Sequence, residues 1–142
     1  MAATRTARNV WEGDLFKGSG VVSLDSSGIG SYPVSWPART EEPNGVTSPE
    51  ELIAAAHSSC YNMAFSNVLA KNDTPPTRLE TTAEVTFVPG KGITGSHLTV
   101  RGTVPGLDAE EFRRLAQEGE KNCPVSQALA GTTITLDAEL TS

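Results

Sequence analysis

Hydrophobic and polar residues alternate most regularly in the second half of the chain. Every second position is apolar or small in LETTAEVTFV (79–88) and again in HLTVRGTV (97–104). A period of two residues is typical of strands with one buried face, and PGKGITG between them predicts a hairpin with a long loop. TTITLDAEL near the end alternates in the same way. Its apolar face holds Ile134, Leu136, Ala138 and Leu140. We expect these three strands to form an antiparallel sheet.

Residues 52–70 contain no charged side chain and predict a long helix. Ser48 is a suitable N-cap, Pro49 suits the first helical position, and Glu51 falls at N3, which completes a capping box. The helix should continue to about Lys71, where NDTPP ends it. Small or apolar residues occupy all of its sides, which is typical of a helix buried in a core.

Two further helices are predicted nearer the C-terminus. LDAEEFRRLAQEGEK is amphipathic, with Asp108 at its N-cap, and NCPVSQAL is a short helix with Cys123 at or next to its N-cap. Residues 1–47 hold only short strand candidates, ARNVW, GVVSL and YPVSW, separated by turn residues. The fold class is therefore α+β, with antiparallel sheets and a long buried central helix. We expect one domain over 1–142, with a loosely packed β arm (1–47) and a core of helix and sheet (48–142).

The composition narrows the classes of partner. A net charge of −6 provides no basic stripe for nucleic acid and no attraction to an anionic membrane surface. The uncharged segment is long enough to span a bilayer, but its histidine, serine and asparagine residues argue against a membrane helix. The first residues, MAATRTARNVWEGD, lack the apolar core of a secretory signal, so we expect a cytosolic protein. In the cytosol, two cysteines are expected to be free, catalytic or redox-active.

The two cysteines occupy different local environments. Cys60 lies in the middle of the long helix, where a free cysteine commonly serves as a small packing residue and where burial raises the pKa of its thiol. It becomes reactive only if a cation is brought to it. Cys123 faces the free N–H groups at a helix start, which favour a thiolate, although a half-buried capping role is equally compatible with its position.

A metal site is an alternative to these roles. His57 and Cys60 are three residues apart on a helix, and Cys123 could add a third ligand, while His97 falls on the outer face of its strand. Structural zinc sites normally use four closely spaced ligands. We therefore expect no metal and assign His57 to the core or to an interface.

Two cysteine-containing motifs resemble a known family. TSPEELIAAAHSSCYNMAFS and NCPVSQALAGTTITLDAELTS, with RNVWEGDLFKGSGVVS and WPARTEEPNG before them, resemble the OsmC family of osmotically inducible and organic-hydroperoxide-resistance proteins. The resemblance covers essentially the whole chain. The segments AAHSSC and CPVSQ are more similar in sequence to the OsmC branch than to the organic-hydroperoxide-resistance branch.

The resemblance implies a thiol peroxidase that needs no cofactor. Cys60 matches the peroxidatic cysteine, Cys123 the resolving cysteine, Arg39 the arginine that activates the thiolate, and Glu50 the carboxylate that orients the arginine. The family fold is an intertwined homodimer with two active sites at its interface. The implied substrate is an organic hydroperoxide, and the implied reductant is a dithiol of the lipoyl type. An alternative is a non-catalytic protein that binds an apolar or lipid-like ligand in the same interface pocket.

Elementary physical chemistry is compatible with this assignment. A thiol with a pKa of 8.5 is about 3% thiolate at pH 7, and lowering the pKa to about 6 requires roughly 3 kcal/mol, which a desolvated arginine can supply. Glu50 and Cys60 are ten residues apart, about 15 Å along an unbroken helix. Either the helix kinks, or Arg39 and Glu50 act on the thiol of a partner chain. We favour the partner, because the loose N-terminal arm needs a second chain to cover it.

Overall fold

The computed structural model describes residues 2–141 and contains six strands and four helices in that range. The strands are β1 (Arg8–Glu12), β2 (Ser19–Ser23), β3 (Ser31–Val34), β4 (Arg78–Val88), β5 (Gly92–Thr103) and β6 (Thr133–Leu140). The helices are α1 (Trp36–Thr40), α2 (Pro49–Lys71), α3 (Ala109–Lys121) and α4 (Pro124–Ala128). The α+β class is confirmed. The chain forms two compact units that divide after Leu52, and the interpretation of 1–142 as one domain stays a prediction.

The first unit is an antiparallel meander, β1-β2-β3, followed by the short helix α1. The sequence predicted a strand through YPVSW, but the strand ends at Val34 and the chain turns into α1. Ser35 caps this helix by accepting a hydrogen bond from the N–H of Ala38 at 3.2 Å, and Pro37 lies in its first turn. A serine followed by a proline two residues later is a helix-start signal that the sequence analysis did not use.

The first unit buries few of its own side chains. Among residues 2–52 the buried positions are Gly20, Ala38 and Glu50. Large apolar side chains remain exposed, including Ile29 at 73% and Phe16 at 67%. A single chain therefore leaves the β arm without a hydrophobic core of its own, which agrees with the expectation of a loosely packed arm.

The second unit contains a mixed sheet in the order β4-β5-β6. β4 and β5 pair antiparallel as predicted, but β6 runs parallel to β5, with Leu98 opposite Leu136. The prediction of a wholly antiparallel arrangement is therefore wrong for β6. The physical reason is the connection: the chain passes through α3 and α4 between the two strands, and a crossover of this kind returns the chain in its original direction.

The hairpin between β4 and β5 is tighter than predicted. β4 continues to Val88 and β5 begins at Gly92, and the N–H of Lys91 donates to the Val88 carbonyl at 2.9 Å. Gly90 (φ 84°) and Gly92 (φ 95°) supply the positive φ angles of the turn. The expected long loop was wrong because PGKGITG holds both a turn and the first residues of a strand.

The predicted helix starts are confirmed in the structure. The N–H of Glu51 donates to Ser48 Oγ at 3.2 Å at the start of α2, and the N–H of Glu111 donates to Asp108 at 2.8 Å at the start of α3. The capping box is formed only in part, because the Glu51 carboxylate accepts a hydrogen bond from the hydroxyl of Thr47 instead of from the Ser48 N–H. Side chains therefore satisfy backbone donors in the first turn of both long helices.

The core of the second unit lies where α2, α3 and the sheet meet. The ring of Phe65 lies 5.6 Å from that of Tyr61 and 5.3 Å from that of Phe112. The approach of α3 to α2 is close enough that a Cβ on Gly119 would lie 3.0 Å from the Cβ of Phe65. A larger residue at Gly119 would therefore require the two helices to separate by a few tenths of an ångström.

Helix α2 is buried along one side only in the single chain. Its buried side includes His57, Tyr61 and Phe65, whereas Met63 is 72% exposed. Ala55, Ala56 and Ser59 are also exposed. The expectation of burial on all sides is wrong for one chain, because the sheet and α3 cover a single face.

Within residues 2–141, α2 and the other helices fall short of the combined length and apolarity that crossing a membrane requires.

Candidate active site

The two cysteines lie next to each other in the second unit. Cys60 is on α2 and half-buried, whereas Cys123 is the buried N-cap residue of α4, and both are free thiols. Cys60 packs against the core cluster that includes Cys123, and the Cys123 side chain is close enough to raise the pKa of the Cys60 thiol. Residues far apart in sequence are therefore placed for direct thiol chemistry.

The environment of Cys60 keeps its thiol protonated. Burial raises the pKa of Cys60 most, and the neighbouring Cys123 raises it further, while a hydrogen bond from the backbone of Val125 lowers it. The net direction is upward. The sequence-based expectation that Cys60 needs a cation to become a thiolate therefore agrees with the structure.

The start of α4 serves Cys60 rather than Cys123. The sequence placed free backbone N–H groups beside Cys123, but the Cys123 side chain makes no capping hydrogen bond. The backbone of Val125, at the second position of α4, acts on the Cys60 thiol instead and lowers its pKa. The favourable electrostatics of this helix start are therefore directed at the other cysteine.

His57 lies in the core one turn before Cys60. Its Nδ1 is 2.7 Å from Ser96 Oγ and its Nε2 is 2.7 Å from Ser126 Oγ. Burial lowers the pKa of His57 and keeps the imidazole neutral. Its assignment to the core agrees with the sequence analysis, but neither serine was identified there. Ser126 belongs to the CPVSQ motif, and that was the available signal.

His97 lies on the outer face of β5, away from the core. It contacts Thr135 at 2.5 Å and Asp137 at 3.1 Å. Across residues 2–141 no group of three histidine, cysteine or acidic side chains is arranged as a metal site.

Arg39 and Glu50 form an ion pair in the first unit. Nε of Arg39 donates to both oxygens of Glu50, at 3.1 and 2.9 Å, and Nη2 lies 2.9 Å from Oε2. The side chain of Glu50 is 8% exposed and that of Arg39 is 27% exposed. The guanidinium also lies 5.9 Å from the ring centre of Trp36. A buried carboxylate and an aromatic ring therefore fix the direction of the arginine.

A cavity of about 310 Å³ adjoins this ion pair. Its lining comes from the β arm, α1 and the start of α2, and is mainly apolar. It includes Trp11, Leu15, Val34, Trp36 and Leu52, together with Arg39. Such a cavity can hold an apolar group with an oxygen atom directed at the guanidinium.

Comparisons with known proteins find related sequences that cover most of this chain. A family model described as OsmC-like protein matches residues 42–138, a range that includes Glu50, Cys60 and Cys123 and begins just after Arg39. Peroxiredoxin OsmC of Escherichia coli (strain K12) is 42% identical over 135 residues, which cover 93% of each chain. Organic hydroperoxide resistance protein OhrA of Bacillus subtilis (strain 168) is 28% identical over 131 residues, covering 91% of this chain and 88% of that protein.

Solved structures show the same fold. A Legionella pneumophila structure described as an organic hydroperoxide resistance protein OsmC superimposes with a TM-score of 0.72 at 23% identity, covering 97% of this chain and 99% of that one. An OsmC-like protein from Mycoplasma pneumoniae gives a TM-score of 0.75 at 14% identity, with both chains covered completely. At these identities the likeness concerns the fold.

Proposed function

This chain belongs to the OsmC family, as its cysteine motifs predicted, and we propose that it is a thiol-dependent peroxidase that reduces organic hydroperoxides to alcohols. The observation that carries the proposal is the contact between Cys60 and Cys123. Relatives named peroxiredoxin OsmC and organic hydroperoxide resistance protein support the same activity. The higher identity to the first of them favours the OsmC branch.

The first half-reaction takes place at Cys60. Its thiolate attacks one peroxide oxygen, the O–O bond breaks, and the alkoxide leaves and is protonated to the alcohol. Cys60 then carries a sulfenic acid. The thiolate is the reactive form, so the upward pKa shift of the buried thiol has to be overcome in the active assembly.

Arg39 is the group best suited to lower the raised pKa of the Cys60 thiol. A guanidinium beside the sulfur stabilises the thiolate and donates to the departing alkoxide oxygen in the transition state. Glu50 holds the guanidinium by accepting hydrogen bonds from Nε at 3.1 and 2.9 Å. The apolar cavity beside Arg39 suits a substrate with an organic tail.

The second half-reaction joins the two cysteines. The Cys123 thiol attacks the sulfenic sulfur of Cys60, an S–S bond forms, and the hydroxyl group leaves with the thiol proton as water. A dithiol reductant, of the lipoyl type in our proposal, then reopens the disulfide by exchange. We also infer that the protein acts in the cytosol, where free thiols persist.

We propose that the active protein is a homodimer in which Arg39 and Glu50 act on the partner's Cys60. Helix α2 continues without interruption from Pro49 to Lys71, and Glu50 and Cys60 are ten positions apart along it. The exposed apolar side chains of the β arm and the uncharged exposed face of α2 are surfaces that a second copy can cover. Both observations favour catalysis across the interface.

Replacing Cys123 with serine tests the two-step mechanism. Without added thiol, Cys123→Ser should consume about one equivalent of hydroperoxide and accumulate the sulfenic acid of Cys60, because the protein has no second thiol to attack it. Trapping with a sulfenic-acid reagent and mass spectrometry measures the intermediate. Repeated turnover of this variant at the wild-type rate, with the dithiol as reductant, would rule out a role for Cys123.

A further inference from the structure

A chain of buried hydrogen bonds lies directly beside the cysteine pair. His57 is fully buried, and its two ring nitrogens each contact a serine hydroxyl at 2.7 Å. Ser96, on β5, is 3% exposed and Ser126, on α4, is 5% exposed. The chemistry proposed above uses none of these three side chains. A buried polar chain of this kind retains its geometry because each unmade hydrogen bond is costly.

Helix α4 needs such an attachment. It has five residues, too few to be stable as an isolated helix, and its N-cap Cys123 makes no side-chain hydrogen bond to its first turn. Val125 packs against the core of the second unit, and the side chain of Gln127 donates to the Lys121 carbonyl at the surface. The contact of Ser126 with His57 is the buried polar attachment of α4 to α2.

His57 and Cys60 contact the same four-residue segment of α4 from neighbouring turns of α2. His57 contacts Ser126, whereas Cys60 contacts the side chain of Cys123 and the backbone of Val125. Any rotation or withdrawal of α4 therefore moves the resolving thiol and the Val125 N–H away from the Cys60 sulfur together.

We propose that His57 is a positioning residue which, through Ser126, holds α4 so that Cys123 and the Val125 N–H stay against Cys60. The inference rests on the two-cysteine peroxidase proposed above. His57 itself exchanges no proton with the substrate. It fixes the approach of the Cys123 sulfur during the step in which the S–S bond forms, the S–O bond of the sulfenic acid breaks and water leaves.

A neutral histidine can form a hydrogen bond with each of the two serine hydroxyls. A neutral imidazole has one donor and one acceptor nitrogen, and serine hydroxyls can match both. Burial, which lowers the pKa of His57, keeps the ring in this form. The contact with Ser96, on β5, satisfies the ring nitrogen that does not face α4.

The two serines provide a matched pair of variants. Ser126→Ala and Ser96→Ala each remove one buried hydrogen bond to the same ring, but only Ser126→Ala removes the attachment of α4. Each reduced protein is oxidised with excess cumene hydroperoxide, and the conversion of sulfenic acid to disulfide is followed by rapid quenching and mass spectrometry. The pH profile of Cys60 alkylation is measured on the same substitutions combined with Cys123→Ser.

Ser126→Ala should slow disulfide formation at least about tenfold and move the alkylation profile of Cys60 to higher pH. Ser96→Ala should stay within about twofold of wild type in both measurements, although thermal unfolding should occur at a lower temperature in both variants. His57→Gln, which keeps a donor and an acceptor, should fall between wild type and His57→Leu.

Two results would overturn the inference. In one, Ser126→Ala forms the disulfide as fast as Ser96→Ala. In the other, both variants are slowed equally, which is the result expected of a purely structural role. Failure of the proposed function has a different signature: the wild-type protein would then form neither sulfenic acid nor disulfide. Circular dichroism of each variant before oxidation identifies any that does not fold, and His57→Gln supplies the test in its place.

Discussion

Hydroperoxide consumption should fall by at least about a thousandfold when Cys60 is replaced with serine. A serine hydroxyl is almost entirely protonated at neutral pH and is a far weaker nucleophile toward peroxide oxygen than a thiolate. Removing the nucleophile of a group of residues that act together commonly removes most of the catalysis. The measurement is the initial rate of cumene hydroperoxide loss with a dithiol as reductant.

The substitution is nearly isosteric, so folding should be preserved. The unfolding temperature and circular dichroism of Cys60→Ser provide that control. A folded Cys60→Ser protein that retains more than about a tenth of the wild-type rate would contradict the assignment of Cys60 as the peroxidatic residue.

Replacing Arg39 with methionine should lower the rate of Cys60 oxidation by about 10²- to 10³-fold. This is the range seen when a donor to a developing oxyanion is removed, and loss of the cation also leaves the raised pKa of Cys60 uncorrected. Stopped-flow measurement of the first turnover separates this step from disulfide formation. Arg101→Met is the matched control, because Arg101 pairs with Glu139 on the exposed face of the sheet and should be dispensable.

Mixing two inactive variants tests whether Arg39 acts across the dimer. In a mixed dimer of Arg39→Met and Cys60→Ser chains, one chain supplies an intact Cys60 and the other an intact Arg39. Action on the partner's thiol predicts that co-refolding restores activity to about one quarter of wild type, since half of the dimers are mixed and each has one complete site. Action within one chain predicts no recovery, and that result would contradict the proposal.

Local sequence signals were sufficient to predict where the two long helices begin. The uncharged segment with Ser48 before it fixed the start of α2, and Asp108 fixed that of α3, because caps and turn residues act within a few positions. The direction of β6 was missed because alternation describes one strand and says nothing about its neighbour. Helix α1 is too short for periodicity to predict it, and its start signal at Ser35 and Pro37, which resembles the one that predicted the equally short α4, was overlooked.

The candidate site also contains some contacts that the sequence could predict and others that it could not. The pairing of Arg39 with Glu50 and the contact of Cys60 with Cys123 followed from resemblance to a family, since no local pattern relates residues so far apart in sequence. The contacts of His57 with two serines, and of Val125 with Cys60, depend on how β5 and α4 pack against α2. Such contacts are tertiary, and a periodic pattern of residues in a single sequence does not predict them.

Counting thiols after a single addition of hydroperoxide is the most direct test of the two-cysteine mechanism. The reduced protein is mixed with one equivalent of cumene hydroperoxide, and free thiols and residual peroxide are measured within seconds. The mechanism predicts that both thiols are lost, the peroxide is consumed, and the product carries a Cys60–Cys123 disulfide. If both thiols survive and the peroxide remains, the pair is not a peroxidase site, and the apolar cavity beside Arg39 would instead indicate a protein that binds an apolar ligand.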